Sequence, residues 1–139
     1  MKKEIIVNKN DIKDDEITFN SEIKNYIFIN NNKVLLKYHH NSYYFVHEED
    51  IDENFDIEPI IIKKIYEEDY PLISDKSLIT KYYYLINTNI IIKDGVWIDI
   101  KEIKNVLNES MYNNPRVQDI TLEIIEIIDY LLTNIKEFS

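Results

Sequence analysis

The 139-residue chain has no cysteine, which excludes disulfides, thiolate metal sites and a cysteine nucleophile. Its single glycine, Gly95, leaves nothing from which to build a phosphate-cradling loop or a dinucleotide-binding fingerprint. A Gly-x-Ser-x-Gly nucleophile elbow is missing for the same reason. No run of about 18 apolar residues occurs, so no membrane span is expected. The Met-Lys-Lys opening is not followed by an apolar stretch, which predicts no signal peptide and a cytoplasmic location. Positive charge is scarce. Sixteen Lys and Arg stand against 26 Asp and Glu, a formal net charge of −10. A surface of that sign repels phosphate backbones and argues against general nucleic-acid binding. It favours solubility, and it also suits an acidic protein that docks on a basic partner or mimics DNA.

What the chain does contain is 45% hydrophobic and 30% charged residues, the balance of a globular protein. Its length fits a single domain over residues 1–139, with no repeat or Pro/Gly-rich linker to divide it. The preference for Ile, Tyr, Asn and Lys is what an AT-rich genome produces. In order, Glu4–Val7 and Glu16–Phe19 read as short edge strands. Asn25–Asn30 and Lys33–His39 flank Asn31-Asn32 and predict a hairpin, because Asn tolerates left-handed backbone. A second turn at His40-Asn41 leads into Ser42–His47. Ser77–Asn87 is rich in β-branched and aromatic residues and predicts a long strand. Ile90–Lys93 and Val96–Ile100 around Asp94-Gly95 predict another hairpin. Lys101–Leu107 reads as a short helix with Asp99 as its cap and Glu102 completing a capping box. From Arg116 to Phe138, Val117, Ile120, Ile124, Ile127 and Leu131 repeat in threes and fours, with Ile128, Leu132 and Ile135 alongside. That is an amphipathic helix, closing a core or forming a dimer seam.

The stretch Ile51–Pro71 carries the chemical signal. Asp56 is a suitable N-cap, Pro59 suits a first turn, and Ile57, Ile61 and Ile65 recur at i+4. A helix over 57–69 would bring Lys64, Glu67 and Glu68 to one side, with Pro71 ending it.

Here the chain resembles the Nudix hydrolases, whose signature is G-x5-E-x7-R-E-U-x-E-E-x-G-U with U a large apolar residue. Its last nine positions fall on Lys63–Pro71, keeping Ile65 and the Glu67-Glu68 pair. The family's glycines fall on Glu49 and Tyr70, its upstream glutamate on Phe55, its arginine on Lys63 and its first helix glutamate on Lys64. The flanks follow the family's order as well: Lys33-Val34-Leu35-Leu36, then Tyr43-Tyr44-Phe45, and later Val96–Leu107. The resemblance spans about Lys24 to Leu132. It implies a Nudix-like α/β/α sandwich with a mixed central sheet and a long C-terminal helix.

In that family, helix glutamates hold Mg²⁺ (or Mn²⁺) ions that bridge a nucleoside-linked diphosphate and activate water. Carried over, Glu67 and Glu68 become catalytic residues and metal ligands, and Glu49, in the acidic loop before them, is the candidate third ligand of a rebuilt site. Hard oxygen donors suit such an ion. Lys64, a cation in the seat of an acid, opposes metal binding and implies an eroded site. Lys63, Tyr83 and Trp97 are the ligand-binding candidates, with Tyr82 and Tyr84 beside them for base stacking. Glu48, Asp50, Asp52 and Glu53 are rival acids, and a Lys64–Glu68 surface pair is the plain reading of those two charges. His39 and His40 point opposite ways on a strand, and His47 stands apart, so no zinc site is expected. Three functions follow: a Nudix-like protein with little or no hydrolysis that binds a nucleoside-diphosphate-type ligand or a protein partner, an active Mg²⁺-dependent hydrolase, or an acidic interaction module without nucleotide chemistry.

Overall fold

The computed structural model describes residues 3–9, 11–68 and 75–134. Among these residues the fold is mixed α/β, with a mixed sheet of eight strands and a C-terminal helix. The strands are β1 (Lys3–Val7), β2 (Phe19–Asn30), β3 (Lys33–His39), β4 (Ser42–Tyr44), β5 (Val46–His47), β6 (Ile61–Glu68), β7 (Lys76–Asn87) and β8 (Gly95–Asp99). They hydrogen-bond in the order β1-β6-β7-β2-β3-β4, with β5 on β2 and β8 on β3. No helix among the described residues is long and apolar enough to cross a membrane. By its internal contacts the chain forms two compact units, 1–25 with 53–85 and 26–52 with 86–139, so β2 and β7 each supply both.

In the first unit β1 runs parallel to β6, and β6 runs antiparallel to β7, from Ile61 opposite Tyr83 to Glu68 opposite Lys76. The expected helix over 57–69 is therefore corrected. Residues 61–68 are a strand paired on both sides, and 51–60 form no helix. The reason is local: Ile60, Ile61, Ile62, Ile65 and Tyr66 are β-branched or aromatic and prefer a pleated surface. Eight residues also suit a strand better than a helix. Ile61, Tyr66 and Tyr83 are buried. The segment before β2 is tied down by the Tyr66 hydroxyl, which donates to Asp14 Oδ1 at 3.2 Å, and by a Lys76–Glu16 ion pair. Thr18 N–H donates to the Lys76 carbonyl at 2.9 Å. Asp69, Tyr70 and Pro71, with the expected helix stop, lie outside the described residues.

The second unit holds most of the buried side chains, among them Ile27, Phe28, Leu35, Leu36, Ile103, Leu107, Ile124 and Ile128. Fully burying each is worth about 1.5–3 kcal/mol. Strand β3 pairs antiparallel with β2, β4 and β8. The two Asn-rich turns are present as expected: Asn31 and Asn32 have φ of 50° and 62°, His40 and Asn41 of 50° and 63°. Both residues of each turn are left-handed, the twist that joins adjacent antiparallel strands tightly.

Ile90–Lys93, expected as a strand, is irregular; of that predicted hairpin only the second arm, β8, is a strand, and it pairs with β3. Gly95 is not in the left-handed region; Asp94 is, with φ 61°. Gly95 is required for space, since a Cβ there would lie 2.7 Å from Ile92 Cγ1 and 3.1 Å from Leu35 Cδ1.

Helix α1 covers Ile103–Asn113, later and longer than Lys101–Leu107. Asp99 does not cap it. Its Oδ1 accepts from Lys101 N–H at 2.9 Å in the turn before the helix, and the N-cap Glu102 makes no side-chain cap bond. Helix α2 covers Gln118–Asn134 and begins after a 3-10 turn at Pro115–Val117 that takes up Arg116. Ile124, Ile127, Ile128 and Leu131 face inward as the spacing predicts. Ile120 is 40% exposed and Thr121 takes the buried position, its hydroxyl donating to the Val117 carbonyl at 3.0 Å. Ile135 and Phe138 lie outside the described residues. The two helices pack on each other and on β4, with Lys104 paired to Asp129 across them.

Candidate functional site

The residues singled out in the sequence are not assembled on one helix face. Glu67 and Glu68 are consecutive on β6 and exposed. Consecutive strand residues point to opposite faces, so the pair does not converge on one ion as helix positions would. Glu68 lies opposite Lys76 and Glu67 opposite Ser77. Lys64 pairs with Glu4 at 3.5 Å in place of the expected Glu68. Lys63 lies opposite Lys81 in the sheet. Tyr83 is fully buried, so its ring has no exposed face on which to stack a base. Tyr82 and Tyr84 are partly exposed neighbours, and the Tyr82 hydroxyl donates to Glu22 Oε1 at 3.4 Å.

Glu49 and Trp97 belong to the other unit. Glu49 is exposed in a 3-10 turn, its carboxylate 3.8 Å from His47 Nδ1. Trp97 lines a small hollow of about 200 Å³ beside Lys33 and Asn89. Among the described residues no three His, Asp or Glu side chains gather closely enough to hold a metal ion. His39 and His40 differ from expectation, since their rings meet edge to face with centroids 3.8 Å apart. The left-handed backbone at His40 removes the strand alternation that would separate them.

What the second unit does bring together is a cleft of about 740 Å³ between the β3–β4 hairpin and the later turns of α1. The tight turn at His40-Asn41 sets Tyr38 directly opposite Tyr43, with ring centroids 4.7 Å apart and planes inclined at 55°. Asn41 stands at the turn itself. From the helix come Val106, Glu109, Ser110, Asn113 and Asn114, a stripe at i, i+3, i+4, i+7 and i+8. Asn114 fixes the helix end to the hairpin by donating from Nδ2 to the buried Ser42 Oγ at 3.1 Å. Glu109 brings a carboxylate to the cleft wall. Burial first, then Tyr38 and Glu109, push the Tyr43 phenol above its ordinary 10.0.

No family model and no curated protein matches the chain.

A second hollow in the same unit, about 380 Å³, is lined by Lys37, His39, Tyr44, Asp50, Lys93 and Asp94. Its charges are largely used internally. Lys37 Nζ lies 2.8 Å from Asp50 Oδ2, and the same oxygen accepts the His47 N–H at 2.8 Å. His39 Nδ1 lies 3.4 Å from Asp94 Oδ2. Neither hollow is carried by a motif. The one sequence signal for the larger was the predicted turn at His40-Asn41, which fixes Tyr38 opposite Tyr43; the helix side of the cleft left no comparable sign.

Proposed function

We propose that this chain is an acidic protein-interaction module that binds a basic partner and carries out no nucleotide chemistry. The observation that supports this reading best is the strand at Ile61–Glu68, which separates two neighbouring acids that metal-dependent hydrolysis needs side by side. The charge is then left for recognition. Seven of the eleven residues from 48 to 58 are acids, and all but Asp50 are exposed. Such a surface attracts Lys- and Arg-rich segments and repels phosphates.

The competing proposal is a Nudix-like sandwich with an eroded box. It would bind a nucleoside-diphosphate-type ligand, with Mg²⁺ or Mn²⁺ on Glu67 or Glu68. Calorimetric titration with a short oligo-arginine peptide, beside thermal shifts against nucleoside triphosphates and ADP-ribose in Mg²⁺, separates the two. The interaction reading expects saturable peptide binding and no nucleotide shift. A ligand at a hundred times its Kd adds about 2.7 kcal/mol of stability, readily seen as a raised midpoint. Phosphate release that disappears in Glu68→Gln would overturn the proposal.

A further inference from the structure

We propose that the cleft between the later turns of α1 and the β3–β4 hairpin is a cation site that takes the guanidinium of an arginine side chain from the partner. Only the partner's identity rests on the interaction reading above; the site itself rests on its geometry. The first support is the helix end. Helix α1 finishes at Asn113 with no basic side chain in its last turn, so the negative pole of its peptide dipoles has no cation from its own last turn. Glu109 adds a full negative charge one turn back, exposed on the face that lines the cleft.

The second support is the supply of acceptors. A guanidinium offers five N–H donors and no acceptor. Asn114 commits its amide nitrogen to Ser42, which leaves its Oδ1 to accept. Ser110 Oγ is buried with no hydrogen-bond partner among the described residues, and Ser110 lines the same cleft. The third is the pair of inclined tyrosine rings, whose faces attract a flat cation and suit arginine better than the compact lysine ammonium. Among the described residues no Lys, Arg or His lines the cleft. An anion would meet Glu109 and the carbonyl end of the helix together, and both would repel it.

The test is a nuclear magnetic resonance titration of the whole chain with N-acetyl-arginine methylamide, using the citrulline analogue as its neutral counterpart of the same shape. Shifts should concentrate at Tyr38, Tyr43, Ser110 and Asn113, with the citrulline compound about tenfold weaker. Glu109→Gln, an exposed change, should weaken binding roughly fivefold. Asn113→Lys should abolish it by tethering a cation at the helix end, and should leave the spectrum otherwise folded. Equal binding of citrulline, shifts elsewhere, or unaltered affinity in both variants would overturn the site. Oligo-arginine binding without these shifts also sinks the cleft while leaving the interaction reading intact. Arginine amide bound in the cleft, with the peptide failing to bind, supports the site and removes the interaction reading.

Discussion

His47 shows how one half-buried side chain sets a pH response. Its backbone N–H donates to Asp50, and its side chain is 32% exposed. Burial, then the nearby Lys37, hold the imidazole below its ordinary 6.5 and outweigh the pull of Glu49, Asp50 and Glu123. Glu49 is 78% exposed, so solvent screens its attraction. A lowered histidine pKa means that the unfolded chain takes up the proton first as pH falls. Stability from this group is therefore full above about 6.5 and declines as pH drops from there through the folded-state value. Urea unfolding midpoints measured from pH 7 to pH 5 should fall more steeply in the wild type than in His47→Gln. Parallel curves would show that His47 carries no such linkage.

At the scale of elements, β6 is where reading and fold part, and the cause is specific. Ile57, Ile61 and Ile65 at i+4 satisfy a helical stripe, yet the same segment is dense in β-branched residues, and pairing on both sides by β1 and β7 decided the outcome. The contest can be replayed at Lys63. In a central strand, Lys63→Thr should be more stable than Lys63→Ala by up to about 1 kcal/mol in urea unfolding. A helix would favour the alanine variant. Lys81 stays opposite in both variants, so its effect cancels in the comparison. Other elements were legible because a local rule and the tertiary context agreed. Asn31-Asn32 and His40-Asn41 supply left-handed turns, and Ile124 to Leu131 supply an inward helix face. The cleft was legible only in half. Tyr38 and Tyr43 follow from hairpin register, but Glu109 and Asn114 reach them only through packing of α1 against β4, a contact between segments some 70 residues apart.

For the whole molecule, the net charge of −10 and the local cleft act on different steps of binding. Long-range attraction steers encounter, so it governs the association rate and is screened by salt, with a screening length of about 10 Å at 0.1 M and about 3 Å at 1 M. A seated arginine is held by short contacts that salt reaches less, and these govern dissociation. Stopped-flow binding of an oligo-arginine peptide should therefore slow in association by about tenfold or more across that salt range, with dissociation changing far less. Neutralising Asp52, Glu53, Asp56 and Glu58 together should mimic the effect of salt on association. Glu109→Gln should chiefly speed dissociation. If the quadruple change alters dissociation and Glu109→Gln alters association, the roles of surface and cleft are reversed. The acidic segment would then be where the partner is held.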